Sequence, residues 1–196
     1  MALILDGKAV ALAVKDEVRV DILKIKSKGF IPGLAVILVG EDPGSKVYVG
    51  GKVKDCAETG IRSFEHRLPA TTSQAELEDL IQKLNKDPQV HGLLVQLPLP
   101  KHLNSTHALN LIDPRKDVDG LHPMNLGKLL AGQPCLRACT PSGVMRILSH
   151  FNIPVTGKNA VVIGRSTIVG KPMAQLLLEQ NATVTICHSK TRNLPD

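Results

Sequence analysis

"NAVVIGRSTIVGKPMAQLLLEQNATVTICHS", residues 159–189, is the stretch whose reading decides the fold. Val161–Ile163 is a short β-branched run that leads directly into Gly164. Gly170 then precedes a helical pattern with Pro172 in its first turn, and Leu176, Leu177 and Leu178 help to build that helix's buried face. "ATVTICHS" alternates as a strand does. Strand, glycine-bearing turn, helix and strand in this order make a mononucleotide-binding β-α-β unit. Such a unit's helix N-terminus presents N–H groups and a positive dipole end to phosphate. Position 166 is Ser, so the G-x-G-x-x-G pattern is not met, and on motif alone a structural crossover with glycine turns stays open.

Charge at the end of the second strand separates the two nicotinamide cofactors. An NAD-binding unit places Asp or Glu about 20 residues past the turn to hold the ribose hydroxyls. Here the strand runs out into Cys187-His188-Ser189-Lys190-Thr191-Arg192 with no acid, and the turn adds Arg165. Basic and hydroxyl groups there suit a 2′-phosphate, so the cofactor expected is NADP. Its candidate ligands are Gly164, Arg165, Ser166, Gly170, Ser189 and Lys190, although Lys190 also fits a simply solvated side chain.

Upstream the elements alternate. Val10, Val14, Val18, Ile22 and Ile25 recur at helical spacing over 8–28 and stop at Gly29. "GLAVILVG" (33–40) reads as a buried parallel strand, 44–59 as a helix closed by Gly60, and 61–67 as a strand. "TTSQAELEDLIQKLNKD" opens with cap residues and carries Leu77, Leu80, Ile81 and Leu84 on one face. "VHGLLVQLPLP" (90–100) reads as a further buried strand ended by its prolines. The fold class expected is α/β: an N-terminal parallel-sheet catalytic domain over 1–142, followed from 143 to 196 by the start of a Rossmann-type nucleotide-binding domain.

Open α/β sheets bind ligands at the carboxyl ends of their strands. There "SKVYVGGKVKD" (45–55) places the chain's single tyrosine, Tyr48, one turn before Lys52, on one helix face. Gly50 and Gly51 between them cost that helix roughly 1 kcal/mol each relative to Ala, which suggests that something approaches closely. Alone, the stretch is better read as a solvated lysine beside a half-buried tyrosine. Gln96 equally fits a polar residue capping a strand end, and "DVDG" in the loop 113–123 a simple turn.

Composition removes other classes. The chain has 196 residues, enough for a real core, and no apolar run near the roughly 18 residues of a spanning helix. The formal charge is +6, but basic residues are scattered and aromatics nearly absent, so nucleic acid is not an expected partner, and a basic site for an anionic small molecule is. Cys56, Cys135, Cys139 and Cys187 include no C-x-x-C pair and read as reduced thiols; the seven histidines show no zinc-ligand spacing. The N-terminus lacks a secretory leader, which points to the cytoplasm.

These residues also carry a family resemblance. "ILDGKAVA", "GSKVYVGGKVKDCAETGI", "VHGLLVQLPLP", "KDVDGLHPMNLGKLL", "CTPSGVMRIL", "GRSTIVGKPMAQLLL" and "ATVTICHSKT" come in family order. The chain resembles the bifunctional methylenetetrahydrofolate dehydrogenase/methenyltetrahydrofolate cyclohydrolases. It departs from them at Ala138, where the family has proline, and in stopping at Asp196 while members run on, as a C-terminally truncated member would.

The resemblance implies NADP-dependent oxidation of 5,10-methylenetetrahydrofolate and hydrolysis of the methenyl product to 10-formyltetrahydrofolate. It implies Lys52 as the central catalytic group, Tyr48 packed along the folate, Gln96 bonded to the lysine, Pro98 beside the substrate, and Asp119 on the pterin. A homodimer formed through the nucleotide-binding domain is implied as well. With the chain ending at Asp196, dehydrogenase turnover is expected to be nearly absent and cyclohydrolase turnover weak. Two other readings stand beside this one: an NADP-dependent oxidoreductase without the hydrolytic step, and a non-catalytic folate-binding module.

Overall fold

The computed structural model describes residues 3–194. In chain order the elements are α1 (Gly7–Lys26), β1 (Gly33–Val39), α2 (Pro43–Thr59), β2 (Arg62–Leu68), α3 (Gln74–Lys86), β3 (Gly92–Val95), α4 (Ser105–Asn110), α5 (Pro123–Leu130), α6 (Cys139–His150), β4 (Asn159–Ile163), α7 (Gly170–Glu179) and β5 (Thr183–Cys187). The chain is α/β and divides into two compact units. One is Ala11–Val118; the other runs from Asp119 onward and includes the N-terminal segment up to Val10.

In the first unit β2, β1 and β3 form a parallel sheet in the order β2-β1-β3. The central strand reads as an unbroken apolar run because both its faces are covered. Ala35, Ile37 and Val39 pack with Leu77, Ile81 and Leu84 of α3, while Val36 and Leu38 pack with Val49 of α2. Helix α3 starts with a full capping box, Ser73 and Glu76 each satisfying the other's backbone N–H. Helix α1 is tied to α2 by charge: Lys15 Nζ donates to Glu58 Oε2 at 3.0 Å and also pairs with Asp55.

The third strand is shorter than its apolar run suggests, Gly92–Val95 rather than 90–100. Gln96 still donates its N–H to Ile37 O at 2.8 Å, and the chain then turns at the cis Leu97–Pro98 bond. Prolines bring no N–H to a ladder, so Pro98 and Pro100, with Leu99 between them, do not extend it.

In the second unit β4 and β5 pair in parallel, with Ile163 opposite Cys187, and α7 covers one face. Leu176 and Leu177 are buried there, but Leu178 is 55% exposed. Three consecutive helical residues fan over about 200°, too wide an arc for one buried stripe, so the expectation for Leu178 is corrected. Val161 and Ile163 point to the uncovered face of β4 and are exposed. Among the described residues no helix is long and apolar enough to cross a membrane.

Candidate active site

The site in the first unit is built where the sheet's connections diverge. Strand β1 feeds α2 and then β2 on one side, whereas the chain beyond β3 returns along its far edge, where Leu93 and Asp117 bridge. A ligand crevice in an open α/β sheet lies at such a switch point, outside the carboxyl ends of the diverging strands. Here those ends are Gly40 and Gln96.

Helix α2 starts at this point for local reasons. Asp42 accepts a hydrogen bond from Ser45 N at 2.8 Å, and Pro43 takes the first helical position, where no N–H is required. That backbone hydrogen bond holds the Asp42 carboxyl below its ordinary pKa. Ser45, Val49, Lys52 and Cys56 then rise along one helix face. Val49 is fully buried against Val36, Leu38 and Leu94, which fixes the helix's rotation.

Lys52 is partly buried, and its Nζ donates to Gln96 Oε1 at 3.0 Å. Gln96 Nε2 donates to Leu97 O at 2.8 Å, and this second bond sets which end of the amide faces the lysine. Ser45 Oγ donates to the same carbonyl at 3.4 Å. Among the described residues Lys52 forms no ion pair with a carboxylate. A neutral amide orients an amine whether or not it carries its extra proton, whereas a carboxylate would favour the ammonium. The arrangement therefore suits a group that both gives and takes protons.

The structure thus brings Lys52, Gln96 and Pro98 to one strand end, with Pro98 exposed beside the pair. Tyr48 lies one turn before Lys52 but is 68% exposed, not half-buried as a residue of the protein's own core would be. A Cβ added at Gly50 or at Gly51 meets nothing within 4 Å, so the surface around both is open.

Asp119 belongs to the second unit and is partly buried. Its neighbour Gly120 has φ 64°, and a Cβ there would come within 2.5 Å of Arg137 C and 2.6 Å of Ala138 N. Only glycine permits both the left-handed backbone and the close approach. Cys139 Sγ donates to Asp119 Oδ1 at 3.8 Å.

At the other end of the second unit, the register of β4 and β5 makes Gly164–Ser166 and His188–Lys190 leave neighbouring strands side by side. Gly164 has φ 144° and donates its N–H to Cys187 O at 2.8 Å. Gly170 packs on it so closely that an added Cβ would overlap the Gly164 carbonyl and lie 2.7 Å from Arg165 N. Arg165, Ser166, Ser189 and Lys190 are all exposed.

One expectation changes here. Ser166 Oγ accepts from Val169 N at 3.1 Å and Gly170 N at 3.3 Å, and Ser166 O accepts from Lys171 N at 2.9 Å. The first N–H groups of α7 are therefore used within the turn. Serine in the position of the missing glycine acts as a cap, leaving the helix dipole and the flanking side chains to attract an anion. Sequence reasoning also passed over Ser45, whose signal was its place seven residues before Lys52 just inside a D-P helix start.

A parallel α/β unit with a lysine–amide pair at its switch point, joined to a β-α-β nucleotide-binding unit, defines a two-part α/β protein with a substrate unit and a nucleotide unit. Residues 5–119 match the tetrahydrofolate dehydrogenase/cyclohydrolase catalytic domain, and residues 138–196 match the NAD(P)-binding domain of the same family. The chain belongs to the tetrahydrofolate dehydrogenase/cyclohydrolase family. It is 55% identical over 194 residues to the bifunctional protein FolD of Geotalea uraniireducens, covering 99% of this chain and 69% of that protein. The crystal structure of the bifunctional FolD of Campylobacter jejuni superposes with a TM-score of 0.95 at 49% identity, over 97% of this chain and 68% of that one. The Trypanosoma brucei FolD, solved with NADP cofactor and inhibitor, superposes with a TM-score of 0.91 at 40% identity, over 97% and 66%.

Proposed function

We propose that the protein oxidises 5,10-methylenetetrahydrofolate with NADP⁺ and hydrolyses the resulting methenyl form to 10-formyltetrahydrofolate, with Lys52 as the proton-transfer group. The observation that carries this reading is the 3.0 Å bond from Lys52 Nζ to Gln96 Oε1 at the switch point of the sheet. A solvated lysine has no need of a partner that is itself braced by a second hydrogen bond.

The chemistry follows from that placement. In hydrolysis, water adds to the carbon bridging N5 and N10 of the methenyl cation. Lys52 Nζ takes a proton from that water. The C–N5 bond then breaks, N5 receives a proton from the ammonium, and the hydroxyl proton leaves as the formyl C=O forms. Gln96 holds the amine in line through both transfers. Tyr48, exposed on the same helix face, offers its ring to the folate, Asp119 binds the polar edge of the pterin, and Pro98 borders the substrate.

When bound, the nicotinamide supplies the hydride acceptor for the oxidation, and the chain's part is to bind the dinucleotide at the carboxyl ends of β4 and β5. The turn at Gly164 is open enough for a dinucleotide phosphate, because a Cβ there meets nothing within 4 Å. The 2′-phosphate of NADP would be held by Arg165, Ser189 and Lys190, which the register of β4 and β5 gathers at one end with no acid among residues 188–192. The T. brucei relative, solved with NADP, supports this choice. The folate-binding domain is proposed to span 1–142 and the nucleotide-binding domain 143–196, a later boundary than the Val118/Asp119 division between the compact units. The resemblance supports a homodimer, and the four free thiols suit a reducing compartment such as the cytoplasm.

The test is to assay both reactions in Lys52→Met and Lys52→Gln. Loss of methenyltetrahydrofolate hydrolysis with folate binding retained is the expected result. Near-normal hydrolysis in Lys52→Met would show that the proton carrier is another group. Equal loss of folate binding and of both activities would instead make Lys52 a binding residue.

A further inference from the structure

We infer that Lys15 is a positioning residue for the Lys52–Gln96 pair: it binds the Asp55 carboxylate from α1, so that Lys52 keeps a neutral amide as its partner. The inference rests on the reading above, in which Lys52 carries protons in hydrolysis. Helix α2 holds two acids, Asp55 and Glu58. Asp55 follows Lys52 by three residues, a spacing at which helical neighbours stand about 5–6 Å apart between Cβ atoms and form ion pairs. Asp55 pairs with Lys15 instead, while Lys52 Nζ donates to Gln96 Oε1 at 3.0 Å.

Lys15 reaches both acids of α2. Its Nζ pairs with Asp55 Oδ1 and donates to Glu58 Oε2 at 3.0 Å, and its side chain is 24% exposed. Its hydrogen bonds to Asp55 and then to Glu58 raise the Lys15 pKa. The other cations near Asp55 are engaged elsewhere. Arg19 pairs with Asp16, and its Nε donates to Glu58 O at 3.0 Å. Lys54 faces about 100° away from Asp55 on the helix and lies 3.9 Å from Glu58 Oε1. Freed from Lys15, Asp55 has Lys52 as its nearest cation on the same helix face.

The remaining groups around α2 leave that effect to Asp55. By the sheet register Glu65 and Arg67 share the face of Val36 and Leu38, and they pair with each other at 2.6 Å. Strand β1 brings no charged residue, and the β3 side brings Leu94, Val118 and the neutral Gln96. At the start of α2, Glu41 pairs with Lys46, and Asp42 accepts from Ser45 N. The phenol of Tyr48 and the buried thiol of Cys56, whose pKa burial raises, complete the Lys52 face.

The test is the pH dependence of methenyltetrahydrofolate hydrolysis in the whole protein. In Lys15→Met, which keeps the apolar stem, the freed carboxylate favours the Lys52 ammonium, and the step in which Nζ takes a proton needs a higher pH. The acid limb of the kcat profile should move up by roughly 0.5–1 pH unit, a loss of about three- to tenfold on that limb, with the folate KM unchanged. Lys15→Arg, which keeps the charge, should stay near wild type. Adding Asp55→Asn to Lys15→Met should return the limb to its wild-type place, because no acid is left to act on Lys52.

A merely structural tie between α1 and α2 would leave the limb in place and the double variant as impaired as the single one. Should Lys15→Met fold poorly by circular dichroism, the same comparison is made on Gly50→Ala, where alanine favours the helix and meets nothing within 4 Å. An unmoved limb in the folded variant, with Lys52→Met inactive, overturns this inference alone. A shifted limb that Asp55→Asn does not restore overturns it too. Near-normal hydrolysis in Lys52→Met overturns the reading of Lys52 and the inference together.

Discussion

The two glycines between Tyr48 and Lys52 allow the substrate-facing side of α2 to be tested with an internal control. In a helix of 3.6 residues per turn, Gly51 lies about 60° from Tyr48, on the side away from Lys52, whereas Gly50 lies about 160° from Tyr48. Both are exposed, and a methyl group at either meets nothing within 4 Å in the protein. Alanine at each position should therefore stabilise the helix by about 1 kcal/mol. For a chain of 196 residues that corresponds to a rise in Tm of roughly 2–4 °C, read by calorimetry or circular dichroism.

Only the methyl at 51 would stand beside Tyr48 where the folate is proposed to pack. Its intrusion should cost about 1–3 kcal/mol of binding, the usual penalty of overpacking, and so raise the folate KM at least about fivefold. Gly50→Ala should gain the same stability with an unchanged KM. If Gly51→Ala is stabilised and keeps the KM of Gly50→Ala, nothing packs against that face, and the glycines are not there to clear space for substrate.

Gly170→Ala should weaken NADP binding more than tenfold while sparing methenyltetrahydrofolate hydrolysis, because the new Cβ has backbone rather than flexible side chain to displace; NADP titration against hydrolysis rates reads this. Arg165→Ala should narrow the preference for NADP over NAD, and dissociation constants for both cofactors check it. At the acid limb, the Arg115 guanidinium holds the Asp113 carboxyl at about 2. A depressed carboxylate contributes stability above its unfolded pKa and loses it as pH falls toward the folded value. Asp113→Asn should thus lower stability at neutral pH by under about 1 kcal/mol, since Arg115 is 87% exposed, and the difference from wild type should vanish near pH 2 in denaturant titrations.

Local patterns account for what could be read from the chain alone. The apolar run of β1, the capping box of α3, the D-P start of α2 and the strand–glycine–helix–strand order at 159–189 each follow from short-range stereochemistry and burial periodicity, which need no knowledge of distant residues. Lys52 and Gln96 lie 44 residues apart, and periodicity offered no more than a lysine on a helix face and a glutamine at a strand end. The resemblance, not the spacing, joined them beforehand.

Tertiary structure alone decided the rest. The sheet order β2-β1-β3 makes the ends of β1 and β3 neighbours, and neither strand's own sequence encodes which neighbour it takes. The bracing of Gln96 by the Leu97 carbonyl, the burial of Ser45 and the exposure of Tyr48 and Leu178 all depend on how a helix is rotated against a sheet. Ser166 shows the same division. As a letter it breaks a glycine motif, and only the folded turn reveals its hydroxyl capping the N–H groups of Val169 and Gly170. A side chain's type is local, but its partner is chosen by packing, because hydrogen-bond geometry is settled within fractions of an ångström after the apolar faces have met.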